Sequence, residues 1–351
     1  CEGKNPEQLA GRRTAGLLVG RTLEVVAAAV RPGMTTLDLD TLAETHIRDH
    51  GDIPNFQLVP GYRHTLCTSV NDEIVHGMPG SRVLKEGDVL SIDCGAQVGL
   101  WNGDAAISVI VGGREAGSAQ DLALIDDTET SLWAGIAALR VGQSLYAVGA
   151  AVEDSLTASG EERGWEYGIV EDYVGHGIGT SVHMGPNVPN YRVSGKGPKV
   201  VEGTTICIEP MVTLGEQDNH VLDDQWTVAT NDRSRAAHWE HSIAATSAGL
   251  CVLTAIDGGA QRLAAMGADA SNPPTAHPRG VPDLSLTPRR DAVRVACGAR
   301  LAAPPTVRQG ARCRTRPPCR APSISLQAFP SRPARTGRCW SRPCPTRGEH
   351  P

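Results

Sequence analysis

The chain of 351 residues has no run of about 18 or more apolar residues, which excludes a membrane-spanning helix. Its first stretch, CEGKNPEQLAGRR, lacks the apolar core of a signal peptide. Cys1, Cys67, Cys94, Cys207 and Cys251, the cysteines of residues 1–257, show no close paired spacing, which excludes a zinc knuckle or a disulfide framework there. There is no serine nucleophile elbow, and no phosphate-binding loop, because Gly177-Ile178-Gly179 lacks the further glycine and lysine. Positive charge is also scarce: residues 1–257 hold 17 Lys or Arg against 35 Asp or Glu, a balance of −18 that offers little to DNA or other nucleic acid. Together these absences predict a soluble, cytoplasmic protein with reduced thiols and no membrane partner.

The end of the chain is different. From Gly258 to Pro351 there are 16 Arg and no Lys against 4 Asp or Glu, together with 15 of the 24 prolines and five of the ten cysteines. No helical or strand period runs through it. The reading is one folded domain over residues 1–257 and a disordered Arg/Pro/Cys-rich tail over 258–351.

Within the folded part, Val89 to Ile92 and Ala105 to Val111 are short runs rich in β-branched residues, separated by Gly95, Gly99, Asn102 and Gly103. This predicts a hairpin with Asp93 and Asp104 at the turn-facing ends of its strands. Two like charges held together need a cation or a proton. His176, Glu209 and Glu240 lie in later strand-like segments flanked by Gly or Pro, and four carboxylates with one imidazole suit first-row divalent ions. Such a set can hold two ions about 3.5–4 Å apart and activate water, the chemistry of a hydrolase.

Helical spacing predicts two consecutive helices before the hairpin, one capped by Asn5 with Pro6 at its first position, the other opened by Thr35 and Asp38. A second pair follows around Leu122 to Leu139 and from Ser144 to Gly160. The repeated order suggests two related halves whose sheets face one site. His76, before a Gly-Pro turn, and His183, in the glycine-broken GHGIGTSVH, are further polar candidates, while Tyr62 and Trp226 read as apolar wall or core and Cys67, Cys94 and Cys207 as buried thiols.

The segments CTSVNDEIVHGMPG (67–80), GDVLSIDCGA (87–96), NGDAA (102–106), GHGIGTSVH (175–183), IEPM (208–211) and WTVATNDRSRAAHWEHSIAAT (226–246) together resemble the type I methionine aminopeptidases of peptidase family M24. The resemblance covers about residues 6 to 255. It implies the α+β pita-bread fold, two pseudo-symmetric halves with antiparallel sheets around a dinuclear site, and removal of the N-terminal methionine from peptides and nascent chains whose second residue is small. It also implies roles. Asp93 would hold one metal ion, Asp104 and Glu240 both, and His176 and Glu209 the other, the ions being Co, Mn, Fe or Zn. Glu209 would shuttle a proton, His76 and His183 would bond the peptide, and Tyr62, Cys67 and Trp226 would line the methionine pocket. Val182 stands where some relatives carry an aromatic residue, and the short interval from His183 to Glu209 leaves no room for the helical insertion of type II enzymes.

Two other readings compete. An Xaa-Pro aminopeptidase of the same fold would usually carry a separate domain before the metal half, and only two helices precede it here. A non-catalytic pita-bread binding module would have lost ligands, and all five are present. The tail admits a basic arm in transient contact with the ribosome or, favoured by its lack of lysine and its five cysteines, the frame-shifted end of a coding sequence.

Overall fold

The computed structural model describes residues 3–271. The segment 272–351, and with it the expected disorder and the ribosome-directed arm, lies outside the described residues. Asn5 and Gln8 cap each other at the start of α1 (Pro6–Ala29), and Thr35 and Asp38 do the same for α2 (Thr36–Asp49). Each box satisfies two N–H groups that a helix start leaves open. Leu18, Val19, Leu23 and Val26 of α1 and Leu39, Ala43 and Ile47 of α2 then bury against Leu66, Leu90, Ile92 and Cys94 of the sheet beneath.

That sheet is built on the hairpin Val89–Val98 and Trp101–Ile110, with Leu66–Val70 and the short strand Ile53–Pro54 also antiparallel to Val89–Val98. The turn is tighter than the glycines suggested. Pairing runs from Val89 opposite Ile110 to Val98 opposite Trp101, so only Gly99, at φ 57°, and Leu100 connect the strands. Asp93 and Asp104 consequently sit inside the strands rather than at their turn-facing ends. Gly95 and Gly103 serve close approach instead of turning: a Cβ would lie 2.0 Å from Asn55 Oδ1 at the first and 2.7 Å from the Ala15 carbonyl oxygen at the second.

The arrangement of two helices on a sheet recurs. Helices α3 (Ala119–Ala138) and α4 (Tyr146–Arg163) place Leu132, Ile136 and Val148 in a core with Ile206, Ile208, Ile243 and Val252. The sheet on this side has the order Gly249–Val252, His241–Thr246, Thr204–Ile208, Gly175–Gly177, Met184–Val188. Helix α4 passes through Gly160, its expected stop, and ends at Gly164, φ 82°. Gly160 is a packing position, since a Cβ there would meet the Trp165 carbonyl oxygen at 2.6 Å.

Packing also continues past residue 257. A short α5 (Ala260–Ala265) buries Leu263 fully in the second core, and Ala270 bridges Leu250. The boundary drawn at 257 therefore falls inside packed chain, because a count of Arg and Pro over a long window hides the two apolar positions, Leu263 and Ala268, that still face inward. Among the described residues no helix is long and apolar enough to cross a membrane, and Cys67, Cys94, Cys207 and Cys251 are unpaired and buried.

Candidate metal centre

In the hairpin, Asp93 is opposite Ala106 and Asp104 is opposite Gly95. Gly95 is two residues from Asp93, so alternation puts both carboxylates on one face. The second half meets that face through Glu240, which exchanges main-chain hydrogen bonds of 2.9 and 3.2 Å with Ala106. Pairing of His241 with Ile208 sets Glu240 beside Glu209 where the ladder ends, and His176 enters from the neighbouring strand through Gly177 opposite Ile206. His176 Nε2 lies 3.5 Å from Glu209 Oε1 and 3.9 Å from Asp104 Oδ2. The five expected ligands are thus brought together, and all five are buried.

The electrostatics of this cluster call for a cation or for protons. Asp93 Oδ1, Asp104 Oδ1, Glu209 Oε1 and Glu240 Oε1 are each buried with no hydrogen-bond partner. Leaving a charged oxygen in that state costs several kcal/mol, roughly, unless an ion or proton answers it. Burial holds the Asp93 carboxyl up to about 7. Burial and then the neighbouring carboxylates push Asp104, Glu209 and Glu240 well above the ordinary range. Burial, helped by the nearby His183, pulls His176 down to about 3, so its imidazole is neutral with a lone pair to give. Strained acids around a neutral imidazole form a donor set that fits divalent cations.

Two neighbours went unassigned in the sequence. His238 is buried, its Nε2 lacks a partner, and it lies 3.9 Å from Glu209 Oε2. The signal was available: His238 precedes Glu240 by two, the strand spacing that shares a face. Cys207, read only as a buried thiol, has its Sγ within 4.8 Å of ligand atoms of Asp104, His176 and Glu240. Burial and the adjacent acids push this thiol well up, so it stays neutral and contacts Ser242 Oγ at 3.4 Å rather than supplying a thiolate.

Beside Asp93, and paired with it across the sheet, is Cys67. Cys67, Tyr62 and Trp226 join Phe56, Val59, Met78 and Val182 in one apolar cluster, with the Tyr62 and Trp226 rings 5.0 Å apart and the Tyr62 hydroxyl donating to the Leu66 carbonyl at 2.7 Å. His76 ends the strand Glu73–Val75 at φ 59°, its ring edge-on to Tyr173, and burial with His183 nearby lowers it to about 4. His183 remains open to solvent, its ring 4.5 Å from that of His176.

The family model for metallopeptidase family M24 matches residues 10–247. Methionine aminopeptidase 1 of Mycobacterium tuberculosis is 46% identical over 254 residues, covering 71% of this chain and 94% of that relative. The Bacillus subtilis methionine aminopeptidase 1 is 39% identical over 253 residues, with 72% and 98% covered. The crystal structure of a methionine aminopeptidase from Thermotoga maritima matches with a TM-score of 0.68 at 35% identity, over 72% of this chain and 98% of that one. The fold is accordingly the α+β pita-bread fold. With the metal-suited cluster at its centre, the chain belongs to metallopeptidase family M24, as a type I methionine aminopeptidase that removes N-terminal methionine.

Proposed function

We propose that this enzyme works with two divalent ions, Asp93 holding one, His176 and Glu209 the other, and Asp104 and Glu240 shared between them. The observation that carries the reading is the set of four buried carboxylate oxygens without partners around one neutral imidazole. Held there, divalent ions would lower the pKa of a bound water from about 15.7 toward about 7 and would polarise a peptide carbonyl. The chain's own residues do the rest. Glu209 takes the proton from the water and delivers it to the leaving amine. His76, held neutral by burial, and His183 donate hydrogen bonds to the peptide as charge develops on its carbonyl oxygen. The cluster of Tyr62, Cys67 and Trp226 takes the unbranched thioether side chain. The substrates are then peptides and nascent chains that begin with methionine and continue with a small residue.

The test compares a Met-Ala-Ser peptide with an Xaa-Pro peptide, with and without EDTA, alongside metal analysis during reconstitution with Mn, Fe, Co or Zn. Cleavage of the first peptide alone, lost on chelation and saturating at two ions per chain, is expected. Full activity at one ion per chain would sink the dinuclear assignment, and preference for the Xaa-Pro peptide would sink the substrate assignment.

A further inference from the structure

Arg12 is an unusual residue in this core. It lies on α1, has no exposed surface, and has no carboxylate within ion-pair distance among the described residues. Burial draws its guanidinium down to about 10, which still leaves it a cation at neutral pH. Its Nη1 donates to the main-chain carbonyls of Asn102, in a short bond, and of Gly179 at 3.4 Å, while Nε and Nη2 find no partner. The Asp104 carboxylate acts on it only from beyond ion-pair distance, and a buried cation paired no more closely than that is costly where an apolar side chain would fill the same space.

What it touches gives it a task. The Gly179 carbonyl oxygen also accepts from the Asn102 main-chain N–H at 3.0 Å and from Asn102 Nδ2 at 3.1 Å, so three N–H donors from the first half converge on one oxygen of the second. Asn102 is fixed in turn by Asn55 Nδ2, which donates to its Oδ1 at 3.2 Å. On the other side of the same peptide run, Thr205 Oγ1 donates to the Ile178 carbonyl at 2.6 Å. Beyond Gly179, Thr180 and Ser181 are exposed and irregular until Met184 resumes the sheet opposite Gly177. His183 lies in that interval. The interval is short: the Ser181 carbonyl accepts the Gly179 N–H at 3.0 Å and Val182 packs in the apolar cluster, so the turn that carries His183 is built on Gly179.

We propose that Arg12 and Asn102 form a clamp on the Gly179 carbonyl that positions His183 over the metal centre, so that α1, remote in sequence, sets the geometry of a donor to the reacting peptide. Both are positioning residues: neither reaches the substrate. The inference rests on the role given to His183 above. Two residues apart on one strand, Asn102 and Asp104 share a face, so the same strand that presents a ligand also fixes the loop opposite.

The experiment is a double-mutant cycle on the metal-loaded enzyme with a Met-Ala-Ser peptide. Arg12→Met and Asn102→Ala should each lower kcat about tenfold with KM and bound metal unchanged, as a displaced transition-state donor requires. Arg12→Lys, which can still donate to both carbonyls, should restore most of the loss. In a His183→Ala background the same substitutions should change kcat less than about twofold, because the donor they position is gone. Full additivity there, with His183→Ala itself slow, would mean the clamp only stabilises the fold and would overturn the proposal alone. An unimpaired His183→Ala enzyme would overturn the role of His183 and the clamp with it. If Arg12→Met does not fold, Asn102→Ala decides, since it removes one donor and leaves the main-chain bond.

Discussion

Asn190 brackets Glu209: its Nδ2 donates to the Glu209 carbonyl at 3.0 Å and its Oδ1 accepts the Glu209 N–H at 3.2 Å. The strand ladder stops at Ile208 and Pro210 follows, so a side chain supplies what the sheet no longer can. Glu209 therefore carries its carboxylate on a backbone fixed from outside the sheet. Asn190→Ala should leave two buried main-chain groups unpaired, at about 1–3 kcal/mol each. The expected outcome is a lower melting temperature and a kcat reduced about tenfold with KM nearly unchanged. A normal kcat in the folded variant would show that this bracket does not orient Glu209.

Asp104→Asn should abolish turnover while the fold persists. The shared position loses its charge, so at least one ion is expected to be lost, and repulsion with Asp93 and Glu240 falls at the same time. Metal analysis should show fewer ions per chain, and the metal-free variant should melt higher than the metal-free parent. Activity within about tenfold of the parent at saturating Mn or Co would contradict a shared ligand at this position.

The metal-free protein should lose stability as pH rises above 6.5. A carboxyl whose folded pKa exceeds its unfolded value binds protons more tightly when folded, so its contribution is lost as pH climbs through the folded value. Asp93, raised from 3.8 to about 7, and the still higher Asp104, Glu209 and Glu240 act in this sense. The lowered histidines, His46, His76, His176, His183, His238 and His241, act oppositely, but only below 6.5, where the unfolded imidazole titrates. Melting curves in EDTA between pH 6.5 and about 8 should fall with pH, and saturating divalent ion should remove the slope. A rise with pH in EDTA would mean the acids are not strained.

The helix starts were legible because each depends on close neighbours in sequence: Asn5 before Pro6 at the first position, and Thr35 with Asp38 three residues on. The five residues of the cluster, proposed here as ligands, were legible as acids and an imidazole in apolar, glycine-bounded runs. The hairpin turn was not, since Gly95 and Gly103 serve contacts with Asn55 and Ala15 that only the folded chain creates. Arg12 and Asn190 were hidden for the same reason. Their partners, Gly179 and Glu209, are set by tertiary packing and leave no local pattern.

Under the proposed function, the apolar cluster beside Asp93 takes the first residue of a substrate whose second residue is small. Tyr62 and Trp226, 5.0 Å apart, with Cys67 and Met78, suit a flexible thioether at the first position. In a panel of Met-Xaa-Ser peptides, Ala, Gly, Ser and Pro should be cleaved, while Lys, Leu and Phe should be at least about a hundredfold slower. Equal rates across the panel would count against a restricted second position.

The packed chain ends beyond the point that composition suggests, and two truncations separate these readings. Removing everything after Ser271 leaves every expected ligand, the apolar cluster and both cores in place, so kcat/KM on a short peptide should stay within about twofold and the melting temperature should hold. Removing everything after Asp257 also deletes α5. Leu263, fully buried in the second core, is then lost, and the loss of such a side chain costs about 2–5 kcal/mol. The Val252 N–H loses its bond to the Gly258 carbonyl, and Trp133, which lies against His241 at 5.3 Å, loses the Arg262 guanidinium above its ring. His241 follows Glu240 directly, so the disturbance reaches a proposed ligand through one packed ring. The shorter protein should therefore melt roughly 5–15 °C lower and bind metal less tightly, while the longer one should not. Equal stability of the two would return the boundary to residue 257 and make α5 a passive surface turn.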